Sequence, residues 1–343
     1  MTTHSTDARP SRPAPGPRLP KARGPLSASV IATLEGHRPE LPGGEEIGRA
    51  DPYGEDLQLL LYVLYELHYR GFEGVDESLE WDPALLRVRA DAEAAFLRVL
   101  RDATSGGQDV PEAIGALLVE PAGDDGHSVS HFLRAEGDLR QLAEYAALRS
   151  LYHLKEADPH IWVVPRLRGR AKAAMVAIEY DEFGAGRAEN IHARLFADLM
   201  ADLGLDPAYG GYLEMAPAQV LATVNLMSLF GLHRSLRGAL VGHFAAVEVT
   251  SSPGSRRMSQ ALGRAGAGAA AQRFYDEHVE ADAVHEQVVR RDVIGGLLED
   301  EPHLAADVVL GVEATGHLEE RLSSYLLSAW RAGRTALRAA ARS

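Results

Sequence analysis

From about residue 50 onward the chain is dominated by Ala, Leu, Glu and Arg, and strictly alternating runs of Val, Ile and Thr are scarce. All four dominant residues are good helix formers, so this bias points to helices packed on helices. Leu57–Tyr69 (LQLLLYVLYELHY) is too long and too leucine-rich for a strand and reads as a buried helix that ends at Gly71. Further helices are predicted over Pro83–Arg101, with Pro83 in the first turn, and over Pro111–Leu118. A helix pair is expected between Ser128 and Glu156, and one long helix from Leu167 to about Leu203. Pro217–Leu229 and His233–Val249 are apolar and helical in pattern, and Ser251-Ser252-Pro253-Gly254-Ser255 is expected to break the second of them. Met258–Ala265, Ala270–Leu298 and Pro302–Leu337 complete an all-α reading.

The 343 residues are many for one compact domain and few for three. Residues 1–27 are rich in Pro, Ser and Arg and lack the apolar stretch of a secretory signal. They read as a disordered tail. Residues 28–124 read as an N-terminal helical region packed on the bundle, and 125–337 as the main domain, after the turn-rich Ala122–His127. No run of eighteen apolar residues exists, so no transmembrane helix is expected and a cytoplasmic location is the default.

A formal net charge of −14 with dispersed arginines argues against nucleic acid as a partner, because phosphate contacts need a basic face. The absence of cysteine excludes disulfides, thiolate metal sites and cysteine nucleophiles. Any metal site must therefore use His, Asp and Glu, which suit iron, manganese or zinc.

Three segments supply such ligands. In IEYDEFGAGRAENIH (178–192), Glu182 and Glu189 fall about 20° apart on an ideal helix and His192 about 80° from Glu182, although Gly184 and Gly186 warn of an irregular turn. In RFYDEHVEADAVHEQ (273–287), His278, Asp282 and His285 stand at i, i+4 and i+7, on one stripe. Glu248 lies among Phe244, Val247 and Val249, where a lone carboxylate is costly unless paired or metal-bound. The bland readings are open as well. Glu182 and Glu189 also fit solvated neighbours of Arg187 and Arg194, and the 273–287 stripe fits an ordinary charged helix surface. Ahead of these, EADPHIW (156–162), with Glu156, Asp158, His160 and Trp162, reads first as a helix cap at Asp158-Pro159 and second as a segment that lines the pocket or supports a ligand. His233, His243 and Asn225 are candidate buried polar groups.

In combination, these residues resemble the haem-oxygenase-like diiron oxidases, also described as iron-containing redox enzymes. In that resemblance Glu182 and His192 form the first pair with Glu189 as an additional carboxylate, Glu248 is the separate glutamate, and His278, Asp282 and His285 match the closing His-x3-Asp-x2-His set. The match covers roughly residues 125–335. It implies a haem-oxygenase-like helical bundle with additional N-terminal helices and two iron ions without haem. It implies further that dioxygen is a co-substrate in oxidising a small molecule, by N-oxygenation, C–H oxidation or oxidative C–C cleavage. An external electron donor and a homodimer fit the same picture. His131 and His153 sit in no convincing proximal haem motif. The alternative function is a non-catalytic helical scaffold that binds metal. A thiaminase-like branch of the fold commonly relies on a cysteine nucleophile, which this chain lacks.

Overall fold

The computed structural model describes residues 16–119 and 126–339. Helix makes up 74% of the structure, and no strand occurs among the described residues. The N-terminal part holds α1 (Pro25–Leu34), α2 (Gly44–Arg49), α3 (Glu55–Glu66), α4 (Pro83–Ala103) and α5 (Val110–Leu117). Next come α6 (Val129–Ala135), α7 (Leu139–His153), α8 (Asp158–Ile161), α9 (Gly169–Glu182) and α10 (His192–Asp202). The chain ends with α11 (Ala218–Leu232), α12 (Arg237–Ala265), α13 (Ala269–Val288), α14 (Gly295–Asp300) and α15 (Ala305–Arg331). One π-helical stretch, Val289–Ile294, joins α13 to α14. None of the helices among the described residues is long and apolar enough to cross a membrane.

α12 is the axis of the bundle and packs along both α13 and α15. Its crossing with α15 is made close by two glycines. A Cβ on Gly242 would overlap Val308 O, and one on Gly311 would overlap Ala239 O. The break expected at Ser251–Ser255 is therefore corrected: α12 runs unbroken through Pro253. Packing against two long helices outweighs the local cost of the proline.

Apolar residues from Leu26 to Ala336 form one continuous core. α3 and α11 are buried almost all round and pack on each other, and α1 covers α3. Of the segment expected to be a disordered tail, residues 1–15 lie outside the described residues, but 16–27 are placed against the bundle. The Arg23 side chain is 1% exposed, lies 2.6 Å from Glu55, and donates to Leu213 O at 2.7 Å and Ala216 O at 2.8 Å. Of the turn expected over Ala122–His127, residues 122–125 lie outside the described residues too.

Candidate metal centre

The expected single helix from Leu167 to Leu203 is two helices, and the break builds the centre. α9 ends at Glu182, and Gly184, Ala185 and Gly186 all take positive φ (78°, 51° and 81°). A side chain at Gly184 would collide with Ile191 N as the chain doubles back. The Tyr180 hydroxyl donates to Ala185 O at 2.9 Å across this reversal. His192, the first residue of α10, thereby returns to the end of α9, with its Nδ1 2.7 Å from Glu182 Oε2.

Two groups of ligand atoms result, each within 4.8 Å: Glu156, Glu182, His192 and His278 in the first, Glu182, Glu248 and His285 in the second. Glu182 belongs to both. Its Oε2 faces His192, and its Oε1 lies 3.6 Å from His285 Nδ1. Glu248 Oε2 approaches the same His285 Nδ1 at 3.3 Å, and Asp282 Oδ1 at 3.6 Å. All seven side chains are buried. They come from five places: the turn after α7, the end of α9, the start of α10, α12 and α13.

Each of six of these residues buries an atom that has no hydrogen-bond partner among the described residues: Glu156 Oε2, His192 Nδ1, Glu248 Oε2, His278 Nε2, Asp282 Oδ2 and His285 Nδ1. His192 Nδ1 is near Glu182 but not at a hydrogen-bonding angle. Several opposite atoms are tied outward. His278 Nδ1 donates to Phe274 O at 2.7 Å, His285 Nε2 lies 3.3 Å from Asp181 Oδ2, and His153 Nδ1 lies 2.9 Å from Glu156 Oε1. Outer contacts of this kind orient metal ligands and fix their tautomers. Inward-facing unpaired oxygen and imidazole donors fit a carboxylate- and histidine-bound metal pair, and the set suits iron or manganese.

The electrostatics agree. Burial alone would lower the His278 pKa, but Glu156, Asp282 and Glu182 raise it to about 10. For His285, Asp282, Glu248 and Glu182 overcome burial and raise it to about 11. Burial, with Asp282 and Glu182, pushes Glu248 up to about 8. Glu179, one turn before Glu182, is buried with neither oxygen paired among the described residues. Burial and the Glu182 and Glu248 charges hold its carboxyl well above the usual range.

Six of the seven expected ligands thus converge: Glu182, His192, Glu248, His278, Asp282 and His285. The expected role of Glu189 is not matched by its position. It lies exposed on a 3-10 turn, Ala188–Asn190, outside both groups. Its helical projection assumed an unbroken helix, which the Gly184–Gly186 reversal removes. Glu156 belongs to the first ligand group, in a segment that reads first as a cap and only second as pocket lining or ligand support. Asp158 opens α8 without a side-chain cap bond, and Ala157 adopts φ 74°. The signal was present in the spacing of His153, Glu156 and His160 beside the buried Leu154 and Ala157. His233 pairs with Glu93, and Asn225 donates to Gln58, so neither serves the centre.

A cavity of about 300 Å³ adjoins the cluster. Its lining includes Glu156, Glu182, Glu248, His278 and Asp282 together with Arg149, Met227, His243, Phe244 and Thr315. A family model described as "iron-containing redox enzyme" matches residues 143–320, just over half of the chain. No curated protein matches the chain.

Proposed function

From its place in the iron-containing redox enzyme family, to which this chain belongs, and from its two ligand groups, we propose that it is a nonhaem diiron oxygenase or oxidase. The observation that carries this reading is Glu182, whose two oxygens face different groups, as a bridging carboxylate requires. Glu156, His192 and His278 would hold one ion beside it, and Glu248 and His285, with Asp282 nearby, would hold the other. Bound ferrous iron supplies the electrons with which dioxygen is activated to oxidise a small organic substrate. The chain's part is to hold that chemistry in a buried cavity, neutralise the cations with four carboxylates, and orient the imidazoles through Phe274 O and Asp181. An external electron donor would be needed where the substrate does not supply electrons.

Anaerobic Fe(II) titration with Mössbauer spectroscopy tests the reading. Wild type and Glu189→Ala should bind two ions per chain, and Glu182→Ala should lose the coupled pair. Exposure to air should then consume dioxygen. Binding of a single ion by wild type, or an intact pair in Glu182→Ala, would overturn the assignment. Two ions without dioxygen consumption would instead support a metal-binding scaffold.

A further inference from the structure

His243 on α12 and His160 on α8 lie in the cavity wall without belonging to either ligand group. Each is 1% exposed, and their ring centroids are 5.3 Å apart. The hydrogen on His243 can be placed by elimination. Thr315 has one hydroxyl proton and donates it to Gly311 O, one turn earlier, at 2.7 Å. The Thr315 hydroxyl oxygen itself lies 2.8 Å from His243 Nδ1. With its proton committed, Thr315 can only accept from the imidazole, so Nδ1 carries the hydrogen. Burial, with His160 and Arg149 nearby, keeps the ring neutral. Nε2 is then a bare acceptor, buried and without a partner among the described residues. His160 Nε2 is likewise unpartnered.

We propose that His243 Nε2 is a substrate-recognition atom that accepts a hydrogen bond from an N–H or O–H group, so that the cavity selects donor-bearing molecules over plain hydrocarbons. The acceptor is desolvated and, among the described residues, unpaired in the free protein, and a hydrocarbon against this wall gains nothing from it. A donor pairs it, and the apolar Met227 and Phe244 accommodate the rest of the molecule. The assignment rests on this cavity being the substrate chamber of the proposed metal centre. Thr315 is a positioning residue: it acts through the tautomer of His243.

The test uses the full chain labelled with 15N-histidine, with and without Zn(II) as a diamagnetic occupant. The 15N spectrum should show His243 as the Nδ1–H tautomer at pH 7, and Thr315→Val should relax that preference. A ring protonated at Nε2 in wild type would overturn the proposal. The binding probes are 1-pentanol and its isomer butyl methyl ether, which differ in having or lacking an O–H. Wild type should favour the alcohol by roughly five- to tenfold, the worth of one hydrogen bond, with a shift of the Nε2 resonance. His243→Phe should lose the preference, and His243→Gln, whose amide oxygen is an acceptor, should keep it. Equal binding of the isomers by wild type, or an unchanged preference in His243→Phe, refutes the role. Two metal ions bound without donor preference would defeat this inference alone. Donor preference without metal uptake would defeat the reading of the centre and, with it, the substrate role of His243.

Discussion

Glu66→Gln isolates the contribution of the N-terminal helices to the centre. Lys155, the peptide neighbour of Glu156, is buried with its Nζ 3.0 Å from Glu66 Oε2, and the two side chains are 1% and 0% exposed. The ammonium also lies 4.3 Å from the Tyr69 ring centroid and 5.1 Å from that of Tyr62. Tyr209 donates to Glu66 Oε1 at 2.7 Å. Removing one charge of a buried pair typically costs about 3–5 kcal/mol, because the other charge is left uncompensated. The two aromatic faces offset roughly 1–2 kcal/mol of that, so Glu66→Gln should destabilise the protein by about 1–4 kcal/mol. The double variant Glu66→Leu/Lys155→Met should recover most of the loss. Urea unfolding measures both. Because the pair anchors the turn that presents Glu156, Mn(II) affinity of the first ligand group should fall while the second group is spared. A single variant within about 0.5 kcal/mol of wild type, the range of ordinary surface changes, would show that the pair does not anchor the turn.

Gly311→Ala should destabilise the α12–α15 crossing by about 1–3 kcal/mol or more, since the added carbon meets backbone rather than a movable side chain; a neutral urea midpoint would contradict that. Asp181→Ala should weaken metal binding by about tenfold or more through the loss of the outer contact to His285, with helicity unchanged by circular dichroism; unaltered affinity would remove Asp181 from that role. Chelator-treated protein should become less stable as pH rises from about 6.5, the unfolded histidine value, towards about 10, the value for His278. The sign follows because a raised folded pKa means tighter proton binding when folded, and Glu248, raised to about 8, adds in the same direction. Metal uptake at pH 7 should accordingly release protons, detectable by calorimetry in buffers of different ionisation enthalpy, and stability that climbs across that window would refute the assignment.

What was legible in the sequence was what depends on an unbroken local helix. His278, Asp282 and His285 could be grouped from spacing alone because α13 is continuous across them. Glu182 and Glu189 could not, because three consecutive left-handed residues replace the helix on which the projection relied. The glycines announced an irregularity but not its direction, and only the reversal explains why His192 meets Glu182. Pro253 misled in the opposite sense, since the packing that keeps α12 continuous comes from α13 and α15, outside its own local sequence. Arg23 sits in a Pro- and Arg-rich stretch that reads as solvated, and its carbonyl partners lie near residue 215. Glu156 was hidden for a similar reason. Its acidity has local context only in His153, and the other side chains that define its role arrive from α9, α10 and α13.

The charge count bears on how many ions the centre suits. Glu156, Glu182, Glu248 and Asp282 bring four negative charges into a buried space when ionised. Nearby cations are already committed: Lys155 pairs with Glu66, and Arg149 with Glu319 at 2.8 Å. A single divalent ion would leave two carboxylate charges for the imidazoles to neutralise, and an imidazolium cannot also ligate through a protonated nitrogen. With two divalent ions the charges balance, and all three imidazoles are free to act as neutral donors. Glu182 then has a reason to present one oxygen to each group, and the outward bonds of His278 and His285 have a reason to leave their inner nitrogens unpaired.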